Sequence, residues 1–404
     1  MLINRGYKFK IVPTKEQKEF FMKSFGCARK VYNLYVQELY EHLEKTGYEN
    51  GFIMKSEIAM SKYSEFKKIF AYLKEVDSQC LSSAKMDFEA ALKKYNTEYD
   101  KKSYTKRSKR REKTLGLKPT FKDLKGMPKF KSIKNNDFSY RTYNQSMGGS
   151  WNLITLEDSF LKIPKIKTKI KVNQHRPLPK DSIIKNCTIS MDSKGVFYAS
   201  LCVEYEIEIQ KKKSEKVLGL DYSQHDFYVS SDGERANYPH YYRKSEEKLA
   251  YEQKKLSRKV LKSNNWYKQK KKISRLQTHI ANQRLDWIHK KSRELADNWD
   301  AICVEDIDLR AMGQCLNLGK NLHDNGFGMF RTFLKYKLEE QGKQFVKIDR
   351  WFPSSKLCHA CGCVNHELKL YDRVFVCPEC GYTEDRDYNA SINIKEAGTS
   401  LLAW

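Results

Sequence analysis

Two cysteine pairs carry the clearest chemical signal in this chain: Cys358-His-Ala-Cys361 and, after fifteen intervening residues, Cys377-Pro-Glu-Cys380. Two such knuckles at that separation can set four thiolates tetrahedrally around one zinc ion. Cys363 and His359 are alternative donors, and the two-residue knuckle spacing favours Cys361 over both. Asp385-Arg386-Asp387-Tyr388-Asn389 follows almost at once. Those hard carboxylates have no place on a zinc that already holds four soft ligands, so they belong to other chemistry.

That chemistry needs partners, and two apolar runs supply them. Val217-Leu-Gly-Leu-Asp221 and Ala301-Ile-Cys-Val-Glu305 each read as a buried strand ending in a carboxylate. A single strand of this kind means little, because most terminal acids only cap the next element. Here a hairpin (Phe227 to Gly233) and two long helices separate the two, the element order of an RNase H-like sheet. Asp387, at the start of a short helix from Ala390 to about Glu396, adds a third carboxylate. Asp221, Glu305 and Asp387 together could hold two magnesium (or manganese) ions about 4 Å apart, the arrangement that activates water and stabilises a leaving 3′ oxygen in phosphodiester hydrolysis. Asp306 also neighbours Glu305, but strand alternation turns it to the opposite face. Asp385 rivals Asp387 for the third place.

Composition names the class of partner. The 404 residues hold 76 Lys and Arg against 50 Asp and Glu, a formal net charge of +26. Self-repulsion on that scale opposes compaction, and a polyanionic partner explains it. Nucleic acid is favoured over a membrane surface, since no apolar run approaches the roughly 18 residues of a spanning helix. The amino terminus lacks a signal-peptide core, which points to the cytoplasm and to reduced cysteines.

The elements follow in order. Residues 5–13 alternate as a strand ending at Pro13, and Thr14-Lys-Glu-Gln17 reads as a capping box opening a helix. Apolar spacing continues as helices to about Tyr99, with breaks at Gly47 to Gly51 and helices expected over 55–75 and 77–99. From Lys101 to Lys134 the chain becomes a basic loop with interleaved aromatics. Lys106, Arg107, Arg110, Arg111, Lys129 and Lys131, with Tyr140 and Arg141 beyond them, are the expected nucleic-acid contacts; cations would meet phosphates while rings stack on bases. The competing reading is a solvated charged loop. Residues 151–210 are strand-rich, with Asp192-Ser-Lys-Gly195 as a hairpin turn, and predict a small antiparallel barrel that residues 5–13 could join. Lys211 to Lys216 reads as a linker. Helices are expected over about 245–262, 266–299 and 327–341, and a strand over 345–348.

Across nearly its whole length the sequence resembles TnpB, the transposon-encoded RNA-guided nuclease family related to type V CRISPR effectors. The motifs that carry the resemblance are Tyr7-Lys-Phe-Lys-Ile-Val-Pro-Thr14 with Phe25-Gly-Cys-Ala-Arg-Lys-Val-Tyr-Asn33, Gly219-Leu-Asp221, Leu256-Ser-Arg-Lys259, Ile280-Ala-Asn-Gln-Arg-Leu-Asp-Trp-Ile-His289, Val304-Glu-Asp-Ile307, Phe352-Pro-Ser-Ser-Lys356 leading into the first knuckle, and Asp385-Arg-Asp-Tyr-Asn-Ala390. The resemblance implies a multidomain α+β chain. Residues 1–14 and 127–212 would form a wedge-like β-barrel interrupted by a helical recognition lobe (15–126). Residues 217–350 and 383–404 would form an RNase H-like RuvC domain, interrupted by the zinc ribbon (351–382). It also implies Asp221, Glu305 and Asp387 as the magnesium-binding carboxylates, with Asp387 preferred to Asp385. Arg386 would contact the scissile phosphate or form a salt bridge.

The partners implied are a guide noncoding RNA and a double-stranded DNA target beside a short target-adjacent motif, read by a monomer near Val76 to Ser83 and Thr142 to Ser146. Alternatives of other kinds are an RNA-guided repressor without cleavage, an RNase H-like transposase and a CRISPR-associated effector. The sequence departs from the family pattern at three places: Tyr222-Ser-Gln-His225 replaces a glycine-containing turn, Phe327 replaces Trp, and the basic insertion over 101–126 is longer.

Overall fold

The structure is a computed structural model that describes residues 1–49, 51–97, 103–133, 138–147, 150–151, 153–209, 215–315, 324–369 and 371–402. It divides into two compact units, Leu2–Glu206 and Ile207–Trp404 together with Met1. Most of the expected linker, 211–214, lies outside the described residues.

In the first unit, β1 (Leu2–Val12) leads into α1 (Lys15–Lys45), and the helix starts where the capping box placed it. Thr14 accepts from the Gln17 amide, and the Gln17 side chain accepts from the Thr14 amide. Next come α2 (Tyr63–Ile69), α3 (Ser78–Thr97) and α4 (Lys106–Leu115). The continuous helix expected over 55–75 is broken into two 3₁₀ turns flanking α2. The strands are β2 (Ser139–Tyr143), a short hairpin of β3 (Ser146–Met147) and β4 (Ser150–Trp151), then β5 (Thr155–Glu157), β6 (Phe160–Lys162), β7 (Ile170–Asn173), β8 (Ile183–Met191) and β9 (Phe197–Glu206).

Seven of these make one antiparallel sheet in the order β2-β8-β9-β1-β7-β6-β5. The amino-terminal strand therefore sits at its centre, paired with β9 and β7, while α1 to α4 are inserted in sequence between β1 and β2. The barrel expected from the strand pattern is a curled half-barrel: β2 and β5 are its two edges, and no pairing among the described residues closes them. The helices keep a core of their own around Tyr35, Leu39, Leu81, Phe88 and Tyr95.

In the second unit, β10 (Val217–Asp221) pairs with a short antiparallel β11 (Val229–Ser230) and runs parallel to β12 (Ala301–Glu305). The helices α5 (Tyr241–Ser257) and α6 (Asn264–Asn298) make the crossover that a parallel pair requires. After α7 (Leu309–Cys315) and α8 (Phe327–Glu339), β13 (Gln344–Ile348) adds beside β12, giving the order β11-β10-β12-β13. The hairpin of β14 (Val374–Val376) and β15 (Thr383–Asp385) belongs to the cysteine knuckles and runs directly into α9 (Arg386–Thr399). Among the described residues no helix is long and apolar enough to cross a membrane.

Candidate functional site

The register of β10 against β12 pairs Leu220 with Val304, so the next residues along, Asp221 and Glu305, leave the sheet side by side at its carboxyl edge. Both strands are buried until that last residue. The third carboxylate arrives on α9, which lies across the sheet at unusually short range. A Cβ on Gly219 would stand 2.1 Å from the Ser391 carbonyl, and one on Gly398 would stand 2.2 Å from the Cys303 sulfur. Only the missing side chains let the helix settle there, with Asp387 in its first turn at the same edge.

Electrostatics records the convergence. The Asp221 carboxyl is pushed well above the usual carboxylate range, first by burial and then by the charges of Asp387 and Glu305, with Arg386 opposing. Burial likewise raises Glu305. Asp221 thus feels the charge of carboxylates from two other elements, while among the described residues the group whose ligand atoms are gathered closely enough for a metal ion is the cysteine set.

The neighbours sort themselves by partner. Asp306 is half-exposed and held below the usual range, chiefly by the Lys347 hydrogen bond at 3.2 Å and then by Arg350 and Arg331, so its charge is taken up by cations. Asp385 accepts from the Tyr388 amide at 3.0 Å as the N-cap of α9. Arg386 donates to Asp387 at 3.2 Å. Arg373 approaches the other Asp387 oxygen at 3.9 Å.

The sulfur atoms of Cys358, Cys361, Cys377 and Cys380 lie within 4.8 Å of one another, a four-thiolate set that suggests zinc. Cys363 stays outside that set, and its carbonyl accepts from the Cys358 amide. The knuckles tune their own sulfurs: the Cys380 amide donates to Cys377 and leads the causes that lower that thiol to about 6.

The knuckles are bolted to α9. The Asn389 amide donates to the Leu357 carbonyl at 2.7 Å and its oxygen accepts from the His359 amide. One turn on, Asn393 donates to the Ser354 and Leu357 carbonyls. The sequence motif includes Asn389 without a role for it, and Asn393 has none there either. The available signal was two asparagines at i, i+4 inside a helix, where they are poor formers and need partners. Arg331 of α8 was also passed over; it donates to the Glu305 and Ile307 carbonyls and so holds the end of β12.

The expected nucleic-acid contacts divide. Lys106, Arg107 and Arg110 stand exposed on α4, a regular helix capped by Thr105 and ended by Gly116, where a loop was expected. Lys129 is exposed as well. Arg111 is paired with Asp123 at 2.8 Å. Lys131 is tied to Asp87 at 3.4 Å and lies over the Tyr32 ring. Arg141 is half-buried beside the Tyr143 hydroxyl. Tyr140 corrects the expectation outright: it is 4% exposed and packs on Phe21 and Phe25, so it has no face to offer a base. Of the residues expected near the target-adjacent motif, Val76 and Thr142 are buried, and the Thr142 hydroxyl donates to Asp77.

Three family models match the chain: one described as "Helix-turn-helix domain" over residues 1–47, one as "Probable transposase" over 200–315, and one as "Cas12f1-like, TNB domain" over 327–394. Together they take in more than half of the chain, in the order that the sequence motifs follow. By these matches the chain is TnpB-like.

The chain is similar along its length to two proteins named "Putative RNA-guided DNA endonuclease". One, from Streptomyces pristinaespiralis, is 29% identical and aligns over 99% of this chain and 91% of its own length. The other, InsQ of Escherichia coli K12, is 28% identical over 99% and 93%. A Cas12f1 chain solved in complex with a single-guide RNA and target DNA shares the fold, with a TM-score of 0.59 over 95% of this chain and 83% of that one, at 15% identity. Residues 1–47, despite the description of their model, form one strand and one long helix. Two departures from the family pattern meet in space: the Tyr222 and Phe327 rings lie 4.6 Å apart, and Asn325 donates to the Tyr222 hydroxyl. Both belong to the buried core of the second unit.

Proposed function

We propose that the protein is an RNA-guided DNA endonuclease that hydrolyses phosphodiester bonds at a guide-matched DNA target. What supports this reading is the placement of Asp221 and Glu305 at the ends of neighbouring strands and the charge of Asp387 acting on Asp221, in a chain whose full-length relatives bear that name. In this reading the second unit is an RNase H-like RuvC nuclease with the cysteine ribbon inserted before its last helix. The first unit is a wedge-like half-barrel carrying a helical recognition lobe.

Asp221, Glu305 and Asp387 would hold divalent metal, magnesium or manganese. When bound, the metal supplies water activation and charge stabilisation at the leaving oxygen. The protein's own part is positional. Gly219 and Gly398 let α9 bring Asp387 down, Arg331 fixes the end of β12, and Arg386 moderates the charge on Asp387. Zinc on the four cysteines would hold the ribbon that Asn389 and Asn393 fasten to the same helix. The guide RNA and the DNA are polyanions, which the formal charge of +26 suits. One protein would act with one RNA.

The direct test is purification with the co-expressed flanking noncoding RNA, followed by incubation with a plasmid library bearing a guide-matched site and magnesium. Cutting is expected at the matched site only. Asp221→Ala should abolish cutting and spare binding. Cutting that survives this substitution would sink the site assignment, and binding indifferent to the guide sequence would sink the RNA-guided reading. The presence of all three carboxylates favours cleavage over a repressor that only binds.

A further inference from the structure

We propose that Arg235 is a positioning residue for Asp387, setting the spacing between the first and third carboxylates; this rests on the function proposed above. Its guanidinium bridges two acids that belong to different elements. One nitrogen lies 2.7 Å from Asp226, in the loop that leaves Asp221, and the other lies 3.0 Å from Asp385, the residue that starts α9. A planar guanidinium serves two carboxylates at fixed angles, which an ammonium does not.

The two ends are each anchored. Asp226 is nearly buried; its second oxygen takes the His225 ring nitrogen at 2.9 Å, and its amide donates to the Ser223 hydroxyl. Asp385 divides its oxygens, one to Arg235 and one to the Tyr388 amide as helix cap. Arg235 itself is held beside β11 by its backbone bridge to Val229. One side chain therefore ties the segment five residues after Asp221 to the segment two residues before Asp387. Loss of the bridge frees the cap to rotate, and Asp387, in the first turn, moves with it. The Arg235 side chain is 39% exposed, so a direct contact with nucleic acid is the rival role, and the experiment must separate the two.

The test uses the protein bound to its RNA, a plasmid with a matched target at saturating concentration, and a magnesium titration. Arg235→Ala is expected to slow cutting roughly 10- to 100-fold and to raise the magnesium needed for half-maximal rate, with target binding unchanged. Arg235→Lys keeps the charge without the fork and should recover only part of the rate. Asp385→Asn retains the cap but loses the ionic partner, so the Arg235→Ala/Asp385→Asn double variant should be no slower than Arg235→Ala alone.

Should Arg235→Ala fail to fold, the Lys and Asn variants carry the same magnesium readout. Parental rate and magnesium dependence in Arg235→Ala would overturn the proposal. So would weakened target binding with unchanged magnesium dependence, which is the signature of a direct nucleic-acid contact. Asp387→Ala is the control: if it still cuts, the assignment of Asp387 to the site fails and the positioning role with it; if it is inactive while Arg235→Ala is parental, only the positioning role fails; and a parent protein that does not cut would sink the proposed function itself.

Discussion

Gly219 faces the backbone of Ser391 so closely that a β-carbon there would stand 2.1 Å from the Ser391 carbonyl oxygen. The obstacle is helix backbone, which cannot swing aside as a side-chain tip would. Gly219→Ala should therefore push α9 off β10. A cost of about 1–3 kcal/mol or more is expected for such overpacking, read as a lowered melting temperature. Cutting should fall further than stability alone accounts for, because the helix that shifts carries Asp387. Wild-type cutting in a folded Gly219→Ala variant would show that the close approach is dispensable.

The cysteine cluster predicts a contrast between two neighbours. Cys361→Ser removes a member of the four-sulfur set, whereas Cys363→Ser touches a residue outside it. Metal analysis should find about one zinc per chain in the parent and in Cys363→Ser, and loss of zinc in Cys361→Ser. Because Asn389 and Asn393 join the knuckle to α9, the zinc-depleted variant should also lose cutting at saturating magnesium. Equal zinc content in the two variants would refute the ligand assignment.

Asp221 ties stability to pH when no divalent metal is present. Its folded-state pKa is raised, so the neutral form is favoured in the fold. The associated stability is complete below the ordinary carboxylate pKa of about 4 and is lost as pH rises through the folded value. Asp221→Asn removes that loss. Without divalent metal it should melt higher than the parent at pH 8, with the gap closing near pH 4. A gap independent of pH would remove Asp221 as its source.

The first unit offers a test by salt. Lys106, Arg107 and Arg110 are exposed along α4. If they meet phosphates, the triple change to Gln should flatten the plot of log affinity against log salt by roughly 2 to 3 in slope. Tyr140→Ala should leave that slope alone and destabilise the unit by about 3–5 kcal/mol, the cost of emptying a buried aromatic site. An unchanged slope in the triple variant would make α4 a solvated charged helix.

Much of this was legible in one dimension because the signals are local. The thiolate knuckles are read by spacing, the α1 capping box by two residues three apart, and β10 and β12 by apolar runs ending in acids. Tyr140 and Arg141 sit in an aromatic-basic context that resembles a nucleic-acid surface. Burial under α1 and α3 separates them, and burial depends on helices more than forty residues away in sequence. The stretch around α4 reads as a loop because of its dense charge and of Gly116, Pro119, Gly126 and Pro128, which all come after the helix and do not interrupt it.

By itself the sequence determined which groups are present: four soft ligands at ribbon spacing, three hard ones at the ends of elements, and an excess of positive charge that calls for a polyanion. Only the tertiary structure decided how they meet. Strand register sets Asp221 beside Glu305, two glycines admit α9 to the sheet, Arg235 pairs with the residue that caps it, and Asn389 and Asn393 fasten it to the cysteine knuckles. Spacing along a chain specifies ligands within a few residues of one another. Carboxylates 84 and 82 residues apart are brought together by packing between elements, and no local pattern encodes that.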